Sequence, residues 1–455
     1  MGRALRLPTR AEIRDVARLA APIVVVQVGM MLMGVVDAAI VGRHSAQGLA
    51  AVAVGNVYFN SVVTLGQGTL MALDPLVAQA VGAKDRGAIE RAVQRGVVLC
   101  AVLALPLSLL LIPGEAFLGP LRQPADVVPL AARYARACIP GVLPYLAFIA
   151  LRQVVQAFSL VRPVVVAVVV ANFANALLDW AMVFGKLGFP AMGPVGSAWA
   201  TTACRWLMAV VLLWGCRQAI VPFLRHWSRA DLAPGPLWRM VRIGFPIGMQ
   251  LWIEFTAFSV ALLLVGLLGT VPLAGHQIAL MLAALTYMVP LGVSSAAAVL
   301  VGHAVGRADP EGARREAGAA LACGAGFMAM TAFVLTSLPT LLARAFTADP
   351  AILAAAAALI PLAGVFQVFD GIQGVSGGIL RGAGDTQVPM WSNLAGYALV
   401  GLPLGAWLAF GLGWGAPGIW WGLVAGLAAL AALLGWRVHV VVGGELRRLG
   451  AENRQ

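Results

Sequence analysis

Long apolar runs, separated by short polar stretches, dominate the pattern along the chain. A helix rises 1.5 Å per residue, so about 20 apolar residues cross the hydrocarbon layer, where lipid offers the backbone no hydrogen-bonding partner. The runs therefore predict transmembrane helices rather than strands. Twelve such spans are predicted, at residues 19–41, 53–79, 93–113, 128–158, 163–184, 195–216, 243–268, 277–303, 318–340, 352–380, 388–410 and 416–436.

The composition agrees with this pattern. Hydrophobic residues make up 61% of the chain and charged residues only 11%, against roughly 25% charged in an average soluble domain. The fold class predicted is an all-α integral membrane protein. The apolar run after Arg18 continues without an evident cleavage site, so we expect it to remain as the first span. The five cysteines form no CxxC pair, which favours free thiols over a disulfide or a metal site.

Basic residues are distributed unevenly between the two sides of the predicted membrane. Of the 31 lysines and arginines, 24 fall in one set of loops and the two tails, 6 in the opposite loops, and Arg205 inside a span. Basic residues near short loops favour the cytoplasm. This predicts that both termini are cytoplasmic, and it explains the net charge of +12 without nucleic acid.

The two halves of the chain repeat the same residues at a fixed offset. Several residues of the first half have an identical residue 224 positions later. Among them are Arg18, Pro22, Val41, Gly42, Leu49, Ala50, Val81, Gly82, Asp85 and Arg91, which match Arg242, Pro246, Val265, Gly266, Leu273, Ala274, Val305, Gly306, Asp309 and Arg315. At an offset of 222, Gly193, Gly196 and Trp199 recur as Gly415, Gly418 and Trp421. Asp85, its repeat Asp309, and Asp385 belong to loops and are predicted to cap helices.

This repeat predicts two six-helix bundles related by a pseudo-two-fold axis along the membrane normal, with a cavity between them. The predicted divisions are an N-terminal lobe at 1–216, a cytoplasmic linker at 217–242, a C-terminal lobe at 243–437 and a cytoplasmic tail at 438–455. Pro22 and Pro246 each remove a backbone donor within a span and so offer bending points.

Four polar residues of the N-terminal half lie at similar depths in their spans. Asp37 lies near the outer end of the first span, Asn175 and Asp179 share one face of the fifth, and Thr201 enters from the outer end of the sixth. Charges inside a span are costly, so acids that persist there are functional candidates. Carboxylate, amide and hydroxyl oxygens suit a hard monovalent cation, and two neighbouring carboxylates can also carry a proton. A purely structural pairing is the alternative.

Two further acids share a depth near the middle of the membrane in the C-terminal half. They are Glu254 in the seventh span and Asp370 in the tenth, and neither recurs at the repeat offset. Acids facing a shared cavity imply a cationic substrate, a coupling ion such as Na⁺, or both. Arg205 is a candidate counter-charge to one of the acids. Three glutamines either line the cavity or bond helix to helix: Gln250, Gln277 and Gln367.

Several motifs together resemble the multidrug and toxic compound extrusion (MATE) family, in its NorM-like bacterial branch. The resemblance covers roughly residues 15 to 437. Its carriers are AAPIVVVQVGMMLMGVVDAAIVGR in the first span, LVAQAVGAKDRGAIERAV after the second, NFANALLDWAMVFGKLG in the fifth, GSAWATTACRW in the sixth, AGHQIAL in the eighth and ILRGAGDTQVP after the tenth.

The resemblance implies an antiporter of a bacterial inner membrane that exports amphipathic organic cations and drugs in exchange for Na⁺ or H⁺ by alternating access. It implies an N-lobe cation site at the four polar residues above, and a C-lobe cation or substrate site at Glu254 and Asp370. Where that branch often has a tyrosine one turn before the tenth-span acid, this chain has Phe366. The missing hydroxyl weakens the expectation of a C-lobe ion site.

Other functions are weighed against this one. A flippase of a lipid-linked or other polar metabolite would need a strongly basic cavity, which the mostly acidic span interiors argue against. A facilitator-superfamily carrier would show inverted triplets of helices within each half. No HExxH, paired metal ligands or nucleophile with a base is visible, so we expect no enzyme and no cofactor. The expected partners are small organic cations and membrane lipid, no nucleic acid, and the chain is expected to act as a monomer.

Overall fold

The computed structural model describes residues 8–119, 124, 126–225, 227, 233–446 and 448–449. In these ranges the chain is almost entirely helical and contains no strand. Twelve helices are long and apolar enough to span a membrane, which confirms the predicted fold class. The spans are Arg10–His44, Ala46–Gly82, Arg86–Leu111, Val127–Ala157, Arg162–Phe184, Pro194–Leu224, Pro234–Gly266, Thr270–Gly306, Pro310–Ser337, Pro350–Ala383, Gln387–Gly411 and Ala416–Gly443.

Several spans are made of more than one helical segment. The second consists of Ala46–Leu70 and Leu73–Gly82, and the sixth runs from an α-helix, Pro194–Ile220, into a 3₁₀ turn. In the fourth span a 3₁₀ turn containing Pro140 separates the segments Val127–Ala137 and Val142–Ala157. The eleventh alternates α-helix with π-helix, as Gln387–Leu394, Ala395–Gly401, Leu402–Ala406 and Trp407–Gly411. Two short helices, Gly114–Leu118 and Pro339–Arg344, precede the fourth and tenth spans.

The sequence repeat is also a repeat of backbone conformation. The third and ninth spans begin at N-cap residues Asp85 and Asp309, whose carboxylates accept backbone hydrogen bonds of 3.0 and 2.8 Å. This confirms the two predicted caps. The residues before them, Lys84 and Ala308, both have φ near +55°. Asp385 also accepts a backbone hydrogen bond, of 3.4 Å from the N–H of Val388, and its closest bond comes from Nε of Arg437 at 2.6 Å.

A second repeated feature starts the last span of each half. Gly193 and Gly415 precede the sixth and twelfth spans with φ of 56° and 63° and ψ of −135° and −141°. A residue with a Cβ is strained in this region of φ and ψ, so both turns require glycine. The repeated glycines therefore mark the same turn in each half.

The chain divides into two compact units. One consists of Val25–Val77 and Asp85–Gly248, and the other of Met249 onward together with Ala78–Lys84 and the residues up to Val24. The predicted lobe boundaries remain a prediction. Parts of the predicted linker and tail, residues 226, 228–232, 447 and 450–455, lie outside the described residues, as do several of the counted arginines.

Small residues let helices approach closely in the second of these units. A Cβ on Gly378 would lie 2.2 Å from the backbone oxygen of Ser294, and one on Gly382 would lie 2.5 Å from that of Ala298. These glycines recur one turn apart on one face of the tenth span. Such contacts replace the hydrophobic effect as a source of helix association in lipid, and they fix the tenth span against the eighth.

Candidate ion and substrate site

Four candidate residues of the N-terminal half meet in the structure. Asp37, Asn175, Asp179 and Thr201 come from three different spans, and their side chains are 3%, 0%, 0% and 7% exposed. The carboxyl groups of Asp37 and Asp179 are close enough to interact electrostatically, and Ser197 lies beside Asp179. The acids, the amide and the hydroxyl therefore form one buried polar cluster.

The hydrogen-bonding capacity of this cluster is mostly unused. Thr201 donates a bond of 3.1 Å to Oδ2 of Asp37. The other polar atoms of the cluster have no hydrogen-bond partner among the described residues. These atoms are Oδ1 of Asp37, both carboxylate oxygens of Asp179, the side-chain amide of Asn175 and the hydroxyl of Ser197. Buried polar groups are normally satisfied, so helix packing alone does not explain this concentration of unpaired oxygens.

Local helix geometry explains why these groups converge. Asn175 and Asp179 are four residues apart on the helix Arg162–Phe184 and so project from one face. On the same helix, the Asn172 amide donates a 3.0 Å bond to the backbone oxygen of Gly29 in the first span. That bond ties the fifth span to the helix that carries Asp37.

The cluster suits a monovalent cation or a proton better than a transition metal. In the part of the chain that the structure describes, no group of three or more His, Cys, Asp or Glu side chains could hold a metal ion. The available donors are carboxylate, amide and hydroxyl oxygens, which are hard ligands. Their unpaired state fits the predicted cation site.

The acids of the C-terminal half also come together. Asp370, 6% exposed, interacts electrostatically with the half-buried Glu254. Two tyrosines, Tyr287 and Tyr397, lie within electrostatic range of both acids, and Arg381 is within range of Tyr287. The second site is therefore a pair of carboxyl groups with two phenols beside it.

Sequence reasoning missed both tyrosines. The chain has only five tyrosines, and these are the two in the spans of the C-terminal half, so their rarity in apolar helices was the available signal. Tyr397 lies in the π-helical stretch Ala395–Gly401, is 1% exposed, and has a hydroxyl without a hydrogen-bond partner among the described residues. Single π-helical turns occur frequently at functional sites.

Phe366 belongs to an aromatic cluster rather than to the acids directly. Its ring packs edge-on against Phe258 at 5.9 Å and Trp420 at 5.7 Å, between ring centroids. Phe258 in turn lies 6.0 Å from Tyr397. Trp420 donates a 3.1 Å hydrogen bond to Nδ1 of His276. Phe366, the residue that lacks a hydroxyl, is therefore linked through Phe258 to Tyr397, whose hydroxyl has no partner among the described residues.

The three candidate glutamines have different surroundings. Gln367 is fully buried, donates to the backbone oxygen of Ala283 and the hydroxyl of Thr286, and accepts from Thr331. It therefore bonds the tenth span to the eighth and ninth. Gln250 is half-buried with its amide against Gly377, and Gln277 is exposed.

Arg205 does not act as the counter-charge considered from the sequence. Within the described ranges, no carboxylate lies within 4.0 Å of it. Its guanidinium carbon instead lies 4.0 Å from the centroid of the Phe59 ring and 5.3 Å from that of Tyr145. Aromatic faces attract a guanidinium electrostatically, an arrangement that the residue order did not indicate.

Comparison with known proteins gives one consistent result. The family model described as MatE matches residues 22–181 and 246–407, more than half of the chain. The chain is 38% identical over 441 residues to a probable multidrug resistance protein NorM of Mesorhizobium japonicum, covering 93% of each chain. It is 36% identical over 438 residues to the multidrug resistance protein NorM of Burkholderia vietnamiensis, covering 94% of this chain and 93% of that protein.

Solved structures with the same fold cover nearly the whole chain. A eukaryotic MATE transporter, AtDTX14, superposes with a TM-score of 0.86 at 25% identity, covering 94% of this chain and 95% of that one. A MATE structure in a bent conformation gives a TM-score of 0.84 at 17% identity, with 95% and 98% coverage. A MATE structure in a straight conformation gives a TM-score of 0.85 at 18% identity, covering 94% of this chain and 97% of that one.

Proposed function

We propose, from the premise that this chain belongs to the multidrug and toxic compound extrusion (MATE) family, that it is a multidrug efflux antiporter. It exports amphipathic organic cations in exchange for Na⁺ or H⁺. Members of this family are transporters, and the similar proteins named NorM are multidrug resistance proteins. The direction of transport and the coupling ion are proposals for this chain.

The observation that carries the proposal is the buried pair Asp37 and Asp179. Charged residues inside a span are costly and therefore rare. Here two carboxyl groups lie together, and within the described residues neither is joined to a basic side chain. A structural role would be served by an ion pair, so the unpaired acids support binding of a mobile positive charge.

Exchange follows from the number of charges that this cluster can neutralise. A cation or proton that binds Asp37 and Asp179 leaves them less able to attract a cationic drug, and the reverse also holds. Each ligand shifts the protein toward the form that binds it better. Alternation between forms open to opposite sides of the membrane then couples inward ion flow to drug export.

The C-terminal acids have a supporting place in the proposal. Glu254 and Asp370 form a second cation or substrate site, with Tyr287 and Tyr397 able to offer phenol oxygens or ring faces. The remaining features are proposed as predicted from the sequence: a bacterial inner membrane, cytoplasmic termini, surrounding lipid and a monomeric chain.

Reconstituted vesicles would test the exchange. Purified protein in liposomes should move ethidium against its concentration gradient when a sodium or pH gradient is imposed in the opposite direction. Asp37→Asn should abolish that uphill movement. Glu115→Gln is the matched control, because Glu115 is an exposed acid paired with Arg136 at 2.5 Å, and it should transport normally.

The imposed gradients also identify the coupling ion. Uphill movement driven by sodium at equal pH indicates sodium coupling, and movement driven by a pH gradient without sodium indicates proton coupling. Uphill export with neither gradient, or full exchange by the Asp37→Asn protein, would contradict the proposal.

A further inference from the structure

Arg205 is a buried arginine whose charge the proposed cation site does not use. It lies in the sixth span, is 8% exposed, and its Nη1 has no hydrogen-bond partner among the described residues. Lysine and arginine inside spans are rare and usually mark a pathway or a ligand. An unpaired guanidinium nitrogen at this burial therefore requires a reason.

The surroundings of Arg205 hold the guanidinium in one place. Its plane is adjacent to the rings of Phe59 and Tyr145, and the Tyr145 hydroxyl is fixed by a 2.6 Å bond to Oε1 of Gln67. On another side lies Gly141, where an added Cβ would be 3.1 Å from Cδ of Arg205 and 3.2 Å from its Nη1. Glycine at this position makes room for the side chain.

Arg205 is near the acid pair but is not joined to it. Tyr134 and Cys138 each lie within electrostatic range of both Asp37 and Arg205. Thr201, which bonds Asp37, is four residues before Arg205 on the same helix, so the two side chains share a face with their Cβ atoms about 6 Å apart. The cluster thus has a negative end and a positive end.

A second arginine adds to the positive end. Arg152 of the fourth span is 6% exposed and donates a 3.2 Å bond to Oε1 of Gln27 in the first span. Tyr145 lies within electrostatic range of both arginines.

We propose that Arg205 forms an anion subsite that binds the carboxylate of a zwitterionic amphipathic substrate whose cationic group occupies the Asp37 and Asp179 cluster. This inference rests on the proposed function and names a substrate class within it. A guanidinium with a free Nη1 offers a charge-assisted hydrogen bond to a carboxylate. A purely cationic drug uses the acids alone.

Two dyes that differ at one group provide the test. Rhodamine 110 carries a free carboxyl group beside a cationic aromatic system, and rhodamine 123 is its methyl ester. Dissociation constants for both are measured by fluorescence anisotropy with the purified full chain in detergent, and the quantity compared is their ratio. The wild-type protein should bind rhodamine 110 at least as tightly as rhodamine 123.

The ratio should change at Arg205 and not at an exposed arginine of the same helix. Arg205→Gln should weaken the binding of rhodamine 110 relative to that of rhodamine 123 by about tenfold, because the substitution removes a charge-assisted hydrogen bond. Arg205→Lys keeps the charge, so its ratio of dissociation constants should lie between those of the wild-type protein and the glutamine variant. Arg217→Gln is the matched control: Arg217 also stacks on an aromatic ring, Trp214 at 5.3 Å, but is exposed, so its ratio should equal that of wild type.

The outcomes separate this inference from the proposed function. An unchanged ratio in Arg205→Gln, or a parallel loss of both dyes in the glutamine and lysine variants, overturns the anion subsite. If Arg205→Gln binds neither dye, the test passes to Arg205→Lys. A lysine variant that binds rhodamine 123 without any preference for rhodamine 110 also overturns the anion subsite. Failure of wild-type vesicles to export rhodamine 123 under any gradient would instead overturn the antiport proposal.

Discussion

The hydroxyl of Thr201 donates a 3.1 Å hydrogen bond to Oδ2 of Asp37, joining the sixth span to the first at the centre of the acid cluster. Oδ1 of Asp37 and both carboxylate oxygens of Asp179 have no hydrogen-bond partner within the described ranges. Thr201 therefore orients a carboxylate that otherwise has freedom to face a ligand.

Removing the Thr201 hydroxyl should weaken ion binding. Hydrogen bonds to charged groups contribute about 1.5–3 kcal/mol, so Thr201→Val should raise the half-saturating ion concentration about tenfold or more. The measurement is the rate of ethidium export as the driving ion is varied. Thr202→Val is the control, because the Thr202 hydroxyl donates instead to the backbone oxygen of Ala137 at 3.0 Å. Equal effects of the two variants would contradict a specific role for Thr201.

The free hydroxyl of Tyr397 should matter to ion use but little to stability. It lies near Glu254 and Asp370 and has no described hydrogen-bond partner, so Tyr397→Phe leaves no partner unsatisfied. We expect an unfolding temperature close to that of wild type and an altered dependence of transport on the coupling ion. Tyr58→Phe is the contrasting variant, since it removes a bond to the backbone oxygen of Leu110 and should lower stability without altering ion dependence. Normal ion dependence in Tyr397→Phe would exclude the hydroxyl as an ion ligand.

The close approach of the tenth and eighth spans should make Gly378 intolerant of a side chain. A Cβ there would lie 2.2 Å from the backbone oxygen of Ser294, so Gly378→Ala should destabilise the protein by about 1–3 kcal/mol, the usual cost of overpacking. Gly326→Ala is a matched helical control with nothing within 4 Å of the added carbon, and it should be neutral or stabilise by about 1 kcal/mol. Thermal unfolding in detergent compares the two, and a tolerant Gly378 would contradict the packing described here.

The fold could be predicted because lipid imposes a simple length rule. Every predicted span overlaps an observed one, and the errors lie at the ends, as where the seventh span begins at Pro234 rather than at 243. Such ends carry polar residues that a criterion of apolarity leaves out. The breaks within spans were not predicted, because π-helical turns such as Ala395–Gly401 have no periodic pattern of their own.

The acids of the site could be found because charge in a span is rare, whereas the contacts of Tyr397 and Arg205 could not. Asn175 and Asp179 are related by helical spacing alone, so the sequence places them together. Tyr397 contacts Phe258, and Arg205 contacts Phe59. Both contacts join different spans, so helical spacing within one span does not predict them. The role of each candidate stays a prediction until transport is measured.

If Asp37 and Asp179 form one ion site, their contributions to transport should not be additive. Each carboxylate needs the other to hold the cation, so Asp37→Asn and Asp179→Asn should each cause nearly the whole loss of coupled export. The double variant should then lose no more than either single one, as for groups that act as a unit. Pairing Asp37→Asn with Glu254→Gln gives the contrasting cycle, because Glu254 belongs to the other acid pair. Additive losses for Asp37 and Asp179 would mean that the two neighbours bind separate charges, and the single N-terminal cation site would have to be abandoned.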